Sequence, residues 1–115
     1  MTSTEKSRTT IALITGAGRE GGLGHEVARQ LAAKGHHVIL TARDLSQVEP
    51  LADAINAEGL SASALQLDLT DEDSVTTAVR AVASEHGRLD VLVNNAVMMV
   101  PSAVSAAEKD MGELS

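Results

Sequence analysis

Residues 15–24 read TGAGREGGLG, and this glycine-rich stretch decides how the chain folds. It follows a short, partly β-branched apolar run at Ile11–Ile14, which predicts a strand. It leads into a segment where Leu23, Val27 and Leu31 recur every four residues, as on one face of a helix. A strand that passes through glycines into a helix predicts the first unit of an α/β fold.

The loop itself has the composition of a phosphate-binding site. Glycines permit positive φ angles and let the backbone approach a pyrophosphate closely, and the helix that follows offers free N–H groups and a positive dipole end. Five glycines in ten residues exceed what a simple turn needs. We therefore favour phosphate binding over a purely structural loop. No Gly-Lys-Ser or Gly-Lys-Thr is present, so a nucleoside triphosphate loop of the Walker type is excluded.

The alternation of strand and helix continues along the chain. Apolar runs at residues 38–40, 61–67 and 89–93 predict three more strands, separated by helical segments. The order β-α-β-α-β-α-β, with strands that lack polar alternation, predicts a parallel sheet with right-handed crossovers. This handedness places the first two helices on one face of the sheet and the third helix on the other, which is then only partly covered.

The second and third helices have recognisable starts. Asp44 or Ser46 is expected to cap the second helix, with Pro50 near its first turn, where a missing N–H costs little. Thr70 or Asp71 is expected to cap the third. The residues expected to face the sheet are Val48, Leu51, Ala52 and Ile55 in the second helix and Val75, Val79 and Val82 in the third.

Composition limits the classes of function. The 115 residues include no Phe, Tyr, Trp or Cys, which excludes disulfides, Cys-ligated zinc and an aromatic platform for single-stranded nucleic acid. A net charge of −7 argues against duplex DNA or an anionic membrane as partner. No apolar run reaches the roughly 18 residues of a membrane span. We expect a cytoplasmic protein without a metal, whose four histidines, His25, His36, His37 and His86, lie at the surface or at an edge.

The end of the second strand bears on cofactor choice. In a dinucleotide-binding fold an acid at this point binds the adenosine ribose, whereas an Arg accommodates a 2′-phosphate. The chain has Ala42 followed by Arg43, which favours NADP(H) over NAD(H). Asp44 is a weaker counter-signal that we interpret as a helix cap, and an ordinary surface charge is the alternative for Arg43. The missing acid also disfavours a methyltransferase-type nucleotide fold.

Three further motifs follow the glycine loop in order: TARD at residues 41–44, LDLT at 67–70 and LDVLVNNA at 89–96. Together with the loop they resemble the short-chain dehydrogenase/reductase family, and within it the carbonyl-reductase-like members, over about residues 10–97. The resemblance implies a Rossmann fold with strand order 3-2-1-4, incomplete relative to the family. It also implies NADP(H) as cofactor and the reduction of small carbonyl compounds by hydride transfer.

The resemblance assigns a set of cofactor-binding residues. Asp68 would hold the adenine amino group, Leu69 would pack at the adenine and Asn95 would lie at the ribose. The alternative is that Asp68 caps the third helix and that Asn94 and Asn95 tie the loop after strand four to its neighbours. The full expected set is Thr15, Gly16, Gly18, Arg19, Gly22, Leu23, Gly24, Arg43, Asp68, Leu69, Asn95 and Ala96.

Two features depart from the family pattern. Gly16 and Gly22 are six positions apart where the pattern has four, and the two extra residues place Glu20 in a loop that should bind an anion. We interpret this as an insertion; the alternative is a G-x-G-x-x-G motif at residues 16–21 with a shifted helix. The second departure is Val97, where the family has Gly.

The family's catalysis uses a Tyr general acid, a Lys four residues later and a Ser. The chain has no Tyr, so no catalytic residue is assigned and the 115 residues alone are expected to be inactive. A small carbonyl substrate is expected only where a catalytic half is supplied. The alternative is a non-catalytic dinucleotide-binding or interaction module.

The expected organisation is a disordered tail at residues 1–9, an NADP-binding half-domain at 10–101 and an Ala-rich segment at 102–115 that starts a fourth helix or frays. Strand four would be an open edge beside a partly covered face. Such an edge favours association of the chain with itself.

Overall fold

The computed structural model describes residues 9–95, and residues 1–8 and 96–115 lie outside the described part. The expectations for Ala96, for Val97, for the Ala-rich segment and for nearly all of the tail fall outside it. The described elements are β1 (Ile11–Ile14), α1 (Leu23–Ala33), β2 (His37–Ala42), α2 (Leu45–Ala57), β3 (Ala62–Gln66), α3 (Glu72–His86) and β4 (Val91–Val93).

The four strands form one parallel sheet in the order β3-β2-β1-β4, which confirms the predicted Rossmann-type fold. All four residues of β1 are buried at the centre of the sheet. Ile14 pairs with Leu40 of β2 on one side and with Val93 of β4 on the other. The carboxyl ends of these strands therefore meet at one edge of the sheet.

The strand limits differ from the predicted ones. β2 continues through Thr41 and Ala42, which pair with Leu65 and Gln66 of β3. Thr41 is fully buried, and its hydroxyl donates to the Ile14 carbonyl at 2.9 Å. β3 is one residue shorter at each end, and β4 begins at Val91 instead of Leu89. Before β4, the Asp90 backbone amide donates to the Ile11 carbonyl at 2.9 Å, and the Asp90 carboxylate accepts a hydrogen bond from the Ile11 amide at 2.8 Å.

Helices α1 and α2 pack on one face of the sheet. The predicted face of α2 is confirmed, since all four of its residues are buried. The predicted centre of the α1 face is wrong: Leu23 is 70% exposed, while Gly24, Ala28 and Ala32 are buried. Small residues let the backbone of α1 approach the sheet, and the larger Val27 and Leu31 pack at the margin of the contact.

Helix α3 lies on the other face, as the handedness rule predicts. Val82 is buried there as predicted and Val75 is partly buried, but the prediction for Val79 is wrong, since it is 62% exposed. The other buried positions of α3 are Ser74 and Ala78. Between α3 and β4 lies an apolar cleft of about 380 Å³, and Leu92 on its border is 61% exposed. The expectation of a partly covered face therefore agrees with the structure.

The helix caps are partly as predicted. Asp44 caps α2 by accepting from the Ser46 amide at 3.0 Å, and Asp71 caps α3 by accepting from the Asp73 amide at 3.0 Å. Pro50 is the sixth residue of α2 and not part of its first turn, because the helix begins directly after Asp44. None of the helices within residues 9–95 is long and apolar enough to cross a bilayer.

Two of the histidines predicted to lie at the surface or at an edge lie against each other at an edge of the sheet and are partly buried. The rings of His37 and His86 are 4.8 Å apart between centroids, and both residues are half-buried. The His37 ring nitrogens also bond to the hydroxyls of Ser61 at 2.6 Å and Ser63 at 3.1 Å. This pair connects the start of β2 to the end of α3, at the sheet edge opposite the glycine loop.

Candidate functional site

The glycine loop lies at the edge of the sheet where β1, β2 and β4 end. The Thr15 amide donates to the Val93 carbonyl at 3.0 Å, and the Ala17 amide donates to the Thr41 carbonyl at 2.8 Å. The start of the loop is thus fixed to a strand on each side of β1. In open α/β sheets, ligands bind outside the carboxyl ends of the strands, at this kind of position.

Two glycines of the loop are in such close contact that a side chain would not fit. A Cβ at Gly18 would lie 2.9 Å from the Ala42 side chain. A Cβ at Gly24 would lie 2.8 Å from the side-chain nitrogen Nδ2 of Asn95 and 3.1 Å from the Gly16 carbonyl oxygen. The two ends of the loop therefore keep their positions against β2 and against the first turn of α1.

The two extra residues form a turn between these fixed ends. The Gly22 amide donates to the Arg19 carbonyl at 2.9 Å, and Gly21 has a φ of 77°, as the third position of a type II turn requires. Arg19 and Glu20 are exposed. Because α1 begins at Leu23 and Gly24 makes the close contact, the geometry agrees with an insertion and not with a shifted helix.

The amino end of α1 is open to an anion. Its cap residue is Gly22, and no side chain accepts a hydrogen bond from the first turn. A helix start leaves N–H groups without partners inside the helix, and they attract negative charge. The loop residues present therefore fit a phosphate group, and a side-chain cap that would compete with it is absent from α1.

Arg43 and Asp68 lie beside this site, after β2 and β3. Hydrogen bonds from the Thr70 hydroxyl at 2.6 Å and the Thr70 amide at 2.9 Å hold the pKa of Asp68 below its usual value, and the charge of Arg43 lowers that pKa further. Both hydrogen bonds from Thr70 are made to Oδ1 of Asp68, before α3 begins. Asp71 caps α3, so the alternative that Asp68 is the cap is wrong. The ionised Asp68 is therefore an acceptor next to an exposed cation.

Thr15 and Asn95 connect β1 to β4 beneath the loop. The buried Thr15 hydroxyl accepts from the backbone amide of Asn95 at 2.8 Å and donates to Asn94 Oδ1 at 3.1 Å. The Asn95 side chain donates to the Gly16 carbonyl at 3.2 Å. These bonds agree with the alternative in which the two Asn residues tie the strand-four loop to its neighbours.

The remaining predicted residues within the described range 9–95 lie around the same edge, and two residues of the site were not predicted. Leu23 and Leu69 are exposed there, and Gly22 is the cap residue directly before α1. Thr41 and His25 were missed. Thr41 supplies the carbonyl that anchors the loop, and His25 accepts a hydrogen bond from the Gly21 amide at 3.0 Å. Only the position of His25, one turn after the extra residues, could have signalled it.

The sheet order and the loop define a Rossmann-type domain of the kind that binds dinucleotides. The sequence matches the short chain dehydrogenase family over residues 10–113. The chain therefore belongs to the short-chain dehydrogenase/reductase family.

Relatives and solved structures agree with this assignment. A (+)-neomenthol dehydrogenase of Arabidopsis thaliana is 43% identical over 89 residues, which are 74% of this chain and 29% of that protein. A metagenomic short-chain oxidoreductase in complex with NADP superposes with a TM-score of 0.73 at 36% identity, over 84% of this chain and 47% of that one. A gluconate 5-dehydrogenase of Burkholderia cenocepacia with NADP and tartrate gives 0.72 at 30% identity, over 84% and 40%. The chain spans about a third of the length of the curated relatives it matches.

Proposed function

We propose that residues 10–101 are the NADP(H)-binding part of an oxidoreductase that reduces carbonyl groups of small molecules by hydride transfer. Support comes from the family, from the open amino end of α1 and from the close-packed glycines that bring backbone to the surface of the loop. The two neighbouring structures that contain NADP are consistent with this choice of cofactor.

The observation that carries the preference for NADP(H) is the pair of residues at the end of β2. Ala42 is buried where an acid would bind a ribose hydroxyl, and Arg43 is exposed beyond it. Asp44 instead caps α2, since its Oδ1 accepts from both the amide and the hydroxyl of Ser46, at 3.0 and 2.7 Å. Arg43 is then the charge expected to meet a 2′-phosphate.

The other residues have separate roles in this proposal. The amino end of α1 binds the pyrophosphate, and Asp68 accepts from the adenine amino group with Leu69 against the ring. Asn95 holds the loop at Gly16 on the ribose side. The cofactor supplies the hydride, while the proton for the product has to come from a donor. The 115 residues contain no Tyr, so we expect them to bind NADPH without oxidising it when a quinone or an aldehyde is added.

Calorimetric titration of the full 115-residue chain tests the proposal, with NADPH and NADH in parallel. We expect NADPH to bind more tightly, and Arg43→Ala to weaken NADPH by about tenfold to a hundredfold, the range for a lost charged hydrogen bond, with little effect on NADH. Arg80→Ala is the matched control, because it removes the same charge from an exposed position of α3. Equal affinities of the wild-type chain for both cofactors would contradict the role of Arg43.

A further inference from the structure

The two-residue insertion places an acidic side chain close to the proposed phosphate site. The insertion adds Glu20 next to a helix start that has no side-chain cap. Free N–H groups at a helix start attract negative charge, so a carboxylate that reaches them is stabilised there. A loop free to move would therefore let Glu20 occupy the amino end of α1 and compete with a phosphate.

In the structure Glu20 does not do so. Its side chain is exposed and makes no hydrogen bond or ion pair with any residue of the described part, 9–95. The turn that contains Glu20 is hydrogen-bonded to a side chain of α1, because the Gly21 amide donates to Nδ1 of His25 at 3.0 Å. This hydrogen bond therefore restrains Gly21, the residue directly after Glu20.

The acceptor is well placed to hold the turn. His25 lies in the first turn of α1 and is half-buried, so the helix restricts the position of its ring. Gly21 has a φ of 77° and a Cβ there would meet nothing within 4 Å, so the outer side of the turn is open and hydrogen bonds hold the turn. Within the turn these are the Gly21–His25 bond and the bond between Gly22 and Arg19.

We infer that His25 is a positioning residue of the phosphate site: by accepting from the Gly21 amide it holds the inserted turn so that Glu20 stays away from the amino end of α1. This role rests on the proposed function, since it concerns access of a pyrophosphate to that helix end. Nδ1 has to be unprotonated to accept, which places the proton of the neutral ring on Nε2. An Asn at this position retains an acceptor near Nδ1, whereas Ala has none.

Binding measurements on the full 115-residue chain test the inference with two ligands. NADPH contains the pyrophosphate, whereas adenosine 2′-monophosphate contains only the end that would meet Arg43. We expect His25→Ala to weaken NADPH by about threefold to tenfold, the range for one lost hydrogen bond, and to leave adenosine 2′-monophosphate unchanged. His25→Asn should stay within about twofold of the wild-type chain for both ligands.

A second substitution separates this role from a general effect on the fold. If freed Glu20 is what blocks the helix end, then Glu20→Gln combined with His25→Ala should restore NADPH affinity to within about twofold of the wild-type value. Far-ultraviolet circular dichroism checks that each variant is folded. Should His25→Ala fail to fold, His25→Leu replaces it, since its side chain has similar bulk and no hydrogen-bond acceptor.

The outcomes distinguish the inference from the proposed function. If the wild-type chain binds neither ligand, the proposed function fails. If it binds both and His25→Ala binds them equally well, only the inference is overturned. The inference is also overturned if His25→Ala and His25→Asn lose the same affinity, or if Glu20→Gln restores none of it, because His25 would then act through the fold alone.

Discussion

Because His37 is partly buried and lies against His86, we expect the stability of the chain to depend on pH. Burial lowers the pKa of His37 below 6.5, and the charge of His86 lowers it further against the opposing charge of Glu85. A histidine with a lowered pKa in the folded state favours the neutral form there. Its contribution to stability is complete above pH 6.5 and is lost as the pH falls through that value towards the folded-state pKa.

We therefore expect the urea midpoint of the chain to fall between about pH 7.5 and about pH 5.5, and this fall to be smaller in His37→Gln. The pKa values of Asp44 and Asp68 are lowered, so both carboxylates stay ionised in this range and do not contribute to the change. Circular dichroism is the suitable signal, because the chain has no Trp or Tyr. His36→Gln is the control, and an equal loss of pH dependence in that variant would contradict the assignment.

At the scale of single residues, the sequence predicted the loop glycines better than the side chains around them. The strand–glycine–helix context identified Gly18 and Gly24 because close backbone contacts demand glycine. His25 and His37 were missed because each depends on a partner in another turn or strand, which spacing along the chain does not show. Leu23 was placed in the core because periodicity gives the direction of a face only to within about one residue.

Among the elements, α2 contains the clearest local conflict. Pro50 lies in its second turn, so the carbonyl of Ser46 lacks the N–H that a helix would place four residues later. The residues that face the sheet, such as Val48 and Ile55, are fully buried and hold the helix in place despite this loss. Tertiary packing therefore overrides an unfavourable local preference.

Pro50→Ala is expected to stabilise the chain by about 1–3 kcal/mol, since it restores a helical hydrogen bond at an exposed position, with part of the gain offset by a more flexible unfolded chain. Urea unfolding followed by circular dichroism measures this as a higher midpoint. Asp53→Ala, also exposed in α2, is the matched control. An unchanged or lower midpoint for Pro50→Ala would show that the proline causes no strain in the helix.

The extents of the elements were predictable where burial and composition coincide. β1 was predicted to the residue because its four members are apolar and all buried. β2 was predicted too short because Thr41 looks polar in the sequence and is buried through a hydrogen bond to another strand. β4 was predicted too long because its register with β1 begins only at Val91, opposite Ala12.

For the whole molecule, the sheet has two unlike faces. One is covered by α1 and α2, and the other carries α3 beside the apolar cleft with Leu92 exposed at the β4 edge. Association of the chain with itself through this edge stays a prediction. The two ends of the strands differ as well. The glycine loop, Arg43 and Asp68 lie at the carboxyl ends, and the His37–His86 pair lies at the amino ends.

The most direct test of the central claim, that NADP(H) binds at the carboxyl edge of the sheet, is a map of backbone amide shifts of the isotope-labelled 115-residue chain during titration with NADPH. We expect the largest changes in the glycine loop and at Arg43 and Leu69, with little change at Glu85 and His86. Changes confined to the His37–His86 end, or no saturable change at any amide, would contradict the account.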